Sequence, residues 1–264
     1  MHLSAWAMAG LALAALAAGM VDAVAGGSGV IALPALLAAG LPPHLALGTN
    51  KAQGVFGTCA STLRYARAGL VDGRRARVTF PAGLAGSLCG AAMVLLVPPS
   101  TLRPVVLALL VAVAVALALR PVPRTASATL GPDHGVGWAL RAPRLAAAAV
   151  AFVLGAYDGF FGPGAGTFLI LALAFLFGLP LQRASADAKP INFASNLAAL
   201  ALFSARGAVL WEVALPMAAA QFAGGYLGAH LAVRGGDRLV RVVALAVVLA
   251  LVAKLGVDML RASS

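Results

Sequence analysis

Apolar and polar positions in this chain fall into long blocks, not alternating stripes. Five apolar runs precede residue 121, at roughly 3–24, 30–41, 45–66, 78–97 and 101–120. Five more follow residue 143, at roughly 144–161, 166–179, 186–205, 212–233 and 238–260. Runs this uniform have no polar face to turn toward water, so each predicts a helix surrounded by lipid or protein. A stretch rich in Pro and Gly, 121–143, separates the two sets and reads as a linker. The second and seventh runs are short. A twelve-residue helix reaches about 18 Å, well short of a bilayer core of about 30 Å. Those two segments are therefore expected to stop midway or to form re-entrant hairpins.

Composition narrows the class. Of 264 residues, 62% are hydrophobic and 10% charged, with a mean hydropathy of +0.97. Soluble domains carry about a quarter charged residues, and this chain has too few to cover a water-facing surface. A cytosolic enzyme, a secreted domain, a coiled coil and a disordered chain are excluded. An all-α polytopic membrane protein is left, with the lipid bilayer as its first partner. No Lys or Arg precedes the first run, so it is expected to be a mature span and not a secretory leader. The net charge of +11 comes from arginines gathered in the breaks between runs, which is the pattern of topology, not of nucleic-acid binding. Cys59, Cys89, His2, His44 and His134 show no metal-ligand spacing, and no cofactor is implied. Trp6 and Trp211 read as interfacial anchors.

The halves repeat. Gly19-x-x-Asp22-x-x-x-Gly26 lies over Gly155-x-x-Asp158-x-x-x-Gly162. After a two-residue shift, Gly40-Leu41-Pro42 lies over Gly178-Leu179-Pro180, Lys51 over Lys189, Gly69 over Gly207, and Gly90-Ala91 over Gly228-Ala229. The expected organisation is a first repeat at 1–120, a cytoplasmic linker at 121–143 and a second repeat at 144–264, as in secondary transporters. Arginines crowd the break at 64–77, the linker region and the break at 234–241, which places all three in the cytoplasm. The break at 206–211, counterpart of 64–77, holds only Arg206 and falls outside. The repeats are then inverted, each crossing an odd number of times, with both termini outside. Six full spans with two hairpins, or ten spans, satisfy this parity.

Five ionisable residues lie within the apolar runs: Asp22, Lys51, Asp158, Asp187 and Lys189. Each charge at a bilayer centre costs about 2.5–3.5 kcal/mol on insertion scales, so it persists beside water, a partner charge or a ligand. A transport site and structural ion pairing are both open. Gly26-Gly27-Ser28-Gly29 precedes the first short helix, and Gly162-Pro163-Gly164-Ala165-Gly166 the second. Glycines let backbone approach a ligand, and helix N-termini expose N–H groups that suit an anion; close helix packing through small residues is the plainer alternative. Lys51 and Lys189 would supply point charges, and Thr49, Asn50, Gln53, Asn192, Ser195 and Asn196 hydrogen bonds to a bound oxyanion. Asp22 and Asp158 could carry protons or cap the broken helix ends.

At these residues the chain resembles the TauE/SafE sulfite exporter family, also called the toluene sulfonate uptake permease family. The likeness lies in Asp22-Ala-Val-Ala-Gly-Gly-Ser-Gly29, Gly40-Leu-Pro-Pro43, Leu47-Gly-Thr-Asn-Lys51, Leu63-Arg-Tyr65 and Gly69-Leu-Val-Asp72. The second half carries Asp158-Gly-Phe-Phe-Gly-Pro-Gly164, Ala184, Lys189, Asn192 and Ser195-Asn196. The resemblance implies a permease of the bacterial inner membrane, without cofactor, for sulfite, sulfonates or other small sulfur-containing anions. Two positions depart from the family pattern. Asp187 stands where relatives often carry a small or hydroxyl residue; beside Lys189 it could neutralise that lysine or join proton coupling. Ser28 replaces a common glycine.

The expected function is a secondary transporter of a small sulfur-containing anion, working by alternating access, with Asp22, Asp158 and Asp187 as proton-coupling candidates. An anion channel is the alternative. A rhomboid-like intramembrane protease is the remoter one, since Gly26-Gly27-Ser28-Gly29 has the form Gly-x-Ser-Gly and His230 lies in a late run. The repeat argues against it, because the counterpart turn lacks a serine.

Overall fold

The computed structural model of the protein describes residues 4–119, 136, 139 and 141–262, with backbone alone for 99, 103, 113–119, 241 and 244–262. Most of the linker expected at 121–143, with Arg120, Arg124 and His134, lies outside the described residues, as does His2. Among the described residues the fold is helical throughout, with no strand. The order is α1 (Ala5–Ala25), α2 (Ser28–Ala38), α3 (Pro43–Arg67), α4 (Gly73–Leu95), α5 (Pro99–Leu119), α6 (Pro143–Phe160), α7 (Ala165–Phe177), α8 (Leu181–Ala205) and α9 (Trp211–Ala262).

Local chemistry explains the boundaries. Pro43 and Pro143 open α3 and α6, where a missing N–H costs nothing. The Asp72 side chain caps α4, accepting from the N–H of Arg74 at 2.9 Å and of Arg75 at 3.2 Å. The last two apolar runs, expected as separate helices, lie in α9 as two helices that meet at a kink at Gly236 (φ 59°, ψ −158°). The short helices are α2, with 11 residues, and α7, with 13. By length and hydropathy α1 and α4 qualify as membrane spans among the described residues.

The exterior is apolar, and the largely apolar core encloses several charges. Large apolar side chains stand exposed, Trp6 at 88%, Leu96 at 78% and Phe175 at 70% among them. Lys51, Lys189, Asp22, Asp158, Asp187 and a set of amides and hydroxyls are buried. An exposed apolar exterior of this extent needs lipid to cover it.

The helices of 1–120 and of 144–264 do not pack as two separate bodies. α1 and α3 pack on α9, while α6 and α8 pack on α4. Each of these two bundles, α1–α3–α9 and α4–α6–α8, thus mixes both halves. Backbone meets backbone within them. A Cβ at Gly90 would lie 1.9 Å from the carbonyl oxygen of Ala156, and one at Gly224 2.1 Å from that of Leu16. With little hydrophobic drive between helices in lipid, such small-residue contact is what holds them.

Candidate functional site

Two helix breaks meet at the centre of the site. α1 ends at Ala25, and Gly26 and Gly27 turn the chain into α2 with φ of 77° and 95°, a region open mainly to glycine. The carbonyls that α1 leaves unpaired all find partners. Tyr65 Oη donates to Ala23 O at 2.9 Å, Ser185 Oγ to Val24 O at 3.0 Å, and Thr167 Oγ1 to Ala25 O at 3.0 Å. Asp22 O accepts from Gly26 N at 2.9 Å and also from Lys189 Nζ. In the second break Gly162, Pro163 and Gly164 connect α6 to α7, and Tyr157 Oη donates to Pro163 O at 2.6 Å. The two turns touch: a Cβ at Gly26 would fall 2.3 Å from Gly166 C, and one at Gly29 3.1 Å from Pro163 Cα. The N-termini of α2 and α7 therefore converge.

The buried charges pair reciprocally. Lys51 of α3 donates to Asp158 Oδ1 of α6 at 2.6 Å. Lys189 of α8 reaches Asp22 Oδ2 of α1 at 3.3 Å. Both pairs cross between the two bundles. Gly162 makes room for the first: a Cβ there would stand 2.9 Å from Lys51 Nζ and 3.1 Å from Asp158 Oδ1. Asp158 Oδ2 accepts from Ser195 Oγ, and Asp22 Oδ1 accepts from Ser28 N at 3.3 Å, so Asp22 caps α2 while also holding a lysine.

Between the pairs lies a cavity with about 20 Å³ open to the centre of a water molecule. Asp22, Lys51 and Asp158 bring charge to its wall; Gly27, Ser28, Gly29, Gly162 and Gly166 bring backbone. Asn50, Asn192 and Asn196 bring amides, and the buried Asn192 Oδ1 has no hydrogen-bond partner.

The other expected site residues stand off this wall. Lys189 is fully buried behind Asp22. Gly26 and Gly164 form the turns themselves, Gly164 as the left-handed residue before α7. Thr49 Oγ1 accepts from Leu210 N at 3.1 Å, fixing the start of α9. Gln53 Nε2 donates to Asn50 Oδ1 at 3.1 Å, and Ser195 positions Asp158. Asp187 is tied elsewhere: Arg75 Nη1 pairs with its Oδ2, and Asp72 N donates to its Oδ1 at 2.8 Å. Arg75 also stacks over Phe177, 5.1 Å from the ring centroid. In that cluster burial opposes ionisation of Asp72, but the N–H groups and charges of Arg75 and Arg74 outweigh it and hold its pKa below the ordinary aspartate value. His230 Nδ1 accepts from Arg64 Nε at 3.2 Å, which occupies the base that a Ser28 nucleophile would need. Among the described residues no group of His, Cys, Asp and Glu could hold a metal ion. Of the helix-end partners, Tyr65 is marked in the sequence only as part of Leu63-Arg-Tyr65; Ser185, Thr167 and Tyr157 are not singled out, their one signal being a polar group inside an apolar run.

The chain is similar to known proteins along most of its length. The family described as Sulfite exporter TauE/SafE matches residues 11–255. The chain is 36% identical to "Probable membrane transporter protein ORF9" of Sinorhizobium sp, over 95% of this chain and 93% of that one. It is 35% identical to "Probable membrane transporter protein YfcA" of Escherichia coli (strain K12), over 86% and 81%. A "Probable membrane transporter protein" of Haemophilus influenzae is 36% identical over 85% and 84%. No solved structure matches the chain.

Proposed function

We infer the function from two facts. The chain belongs to the Sulfite exporter TauE/SafE family, and three of its buried charges, Asp22, Lys51 and Asp158, line one cavity at two touching helix breaks. It is a multi-pass protein of the bacterial inner membrane and not an enzyme. Its function is secondary transport of a small sulfur-containing anion such as sulfite or an organosulfonate. The observation that carries this reading is the cavity wall itself, where the N-termini of α2 and α7, the Lys51 ammonium and three asparagine amides face one space, beside the Asp158 and Asp22 carboxylates that pair with Lys51 and Lys189. Helix N-termini and an ammonium select negative charge, and amides hydrogen-bond its oxygens.

About 20 Å³ accommodates about one water, so a sulfonate needs the cavity to widen. Alternating access supplies that. The moving bodies are the bundles α1–α3–α9 and α4–α6–α8, since both ion pairs and the cavity lie between them. The inverted repeats of 1–120 and 144–264 would make the inward and outward openings equivalent in form. The test is uptake by proteoliposomes of labelled sulfite, methanesulfonate, thiosulfate and acetate. Saturable flux with counterflow, preferring the sulfur anions and falling sharply in Lys51→Ala, is expected. Flux that never saturates would make the protein a channel, and indifference to Lys51 would remove the site.

A further inference from the structure

The two buried ion pairs are alike in composition but not in surroundings. Lys189 is completely buried, does not line the cavity, and holds both the carboxylate and the main-chain carbonyl of Asp22. The second oxygen of Asp22 is committed to Ser28 N. Lys51 lines the cavity, and among the described residues its one bond is to Asp158, which lines the cavity too. We propose that Asp158 is the proton carrier of the transport cycle: an entering anion takes Lys51 from it, Asp158 picks up one proton in the same step, and anion and proton cross together. This rests on the anion-transport reading above.

The charge balance requires a cation. Asp158 faces Lys51 from α3, Asp22 from α1 with its Lys189 from α8, and the Tyr157 hydroxyl from its own helix; α4 and α8 add the uncharged Ser87 and Ser195. Two carboxylates and two ammonium groups sum to zero. An anion added alone leaves a negative charge in a space that holds about one water. A buried carboxylate stripped of its counter-ion neutralises itself by protonation. The proton comes from water on the side to which the cavity opens and lands on the Asp158 oxygen that Lys51 vacates. Lys51 stays an ammonium throughout. When the anion leaves, Lys51 returns to Asp158 and the proton departs to water on the far side. Asp22 is excluded from this role because its charge holds Lys189 and the start of α2 together.

The experiment uses the full chain in proteoliposomes with methanesulfonate, a permanent monoanion, and with sulfite, thiosulfate and acetate beside it. A trapped pH dye counts protons, and potassium with valinomycin sets the potential. The expected result is one proton per methanesulfonate, no response to the potential, and about tenfold accumulation for one unit of inward pH gradient. Asp158→Asn should abolish the accumulation, and any anion flux it retains should carry no proton; the proton count in the unaltered chain decides the matter even where that variant fails to insert. Flux that follows potential or a sodium gradient, or accumulation retained in Asp158→Asn, overturns the proposal and leaves the anion reading standing. Proton-coupled acetate flux with no sulfur anion carried overturns the sulfur reading and supports this one. Absence of flux for all four anions overturns both.

Discussion

Removing the Lys189 side chain should cost more in folding than in chemistry. Lys189 is fully buried, and Lys189→Ala strips the Asp22 carboxylate of its counter-ion. Breaking one partner of a buried pair costs about 3–5 kcal/mol, because the survivor stays charged without compensation. The main-chain carbonyl of Asp22 adds little to this, since Gly26 N still donates to it at 2.9 Å. For a chain of this size 3–5 kcal/mol lowers the melting temperature by roughly 6–20 °C. The double variant Lys189→Met with Asp22→Asn removes both charges at near-constant volume, and the Asn oxygen can still accept from Ser28 N. It should recover most of the loss, ending about 1–2 kcal/mol below the parent, because neutral replacement of a whole buried pair is close to neutral. Melting of detergent-solubilised protein, read by the monodisperse fraction on size-exclusion after heating, measures all three. A single variant that melts with the parent, or a double variant no better than the single, would refute the argument that this pair is structural.

Three further outcomes follow from other contacts. Gly26→Ala places a Cβ 2.3 Å from Gly166 C at a φ of 77°; backbone strain of about 1–3 kcal/mol adds to overpacking of about 1–3 kcal/mol, so folded yield and flux should fall together. Arg75→Ala leaves the buried Asp187 with the Asp72 N–H alone, so hydrogen exchange should rise at the start of α4, and Asp187→Asn in the same chain should reverse it. Asp72 has a folded pKa below its unfolded one, so its capping contribution is present above the unfolded value and is lost as pH falls through the folded value. The acid limb of the melting-temperature profile should therefore flatten in Asp72→Asn and stay steep in the parent.

Helix placement could be read from the apolar runs because each run has a break with its own chemistry, Pro42-Pro43 before α3 and the Asp72 cap before α4. The junction near 236 is legible as a break between two apolar runs, and Gly236 kinks the chain there with a non-helical φ of 59°. The site residues illustrate the limit. Lys189, Asn192 and Asn196 stand at i, i+3 and i+7, one face of a helix. The two amides of that face line the cavity and the lysine sits behind Asp22. Asp187 is two residues from Lys189, about 200° around the helix, so it had to face another partner, which is Arg75. Thr49 and Gln53 stand at the same angle from Lys51, and neither lines the cavity. The pairing of each lysine with the aspartate of the other half had no sequence signal, because it depends on how the two bundles interleave.

The inequality of the two ion pairs traces to two differences between otherwise matching segments. α2 begins six residues after Asp22, and α7 begins seven after Asp158. The longer second turn carries the first N–H groups of α7 away from Asp158, and among the described residues Asp158 accepts none of them, whereas Asp22 accepts from Ser28 N. The open oxygen of Asp158 is taken by the Ser195 hydroxyl. In the register that lays Lys51 over Lys189, the residue opposite Ser195 is Gly57. A hydroxyl cannot be added there, because a Cβ at Gly57 would lie 2.5 Å from Gln221 Cγ. A neutral hydroxyl can follow a carboxylate through protonation, donating to it when charged and accepting from it when neutral. A backbone N–H can only donate, so protonating Asp22 would weaken the cap that starts α2. On the proposal that Asp158 carries the proton, packing at Gly57 and one extra residue in the second turn account for why that role falls to Asp158, with its hydroxyl partner, and not to Asp22, which holds the start of α2.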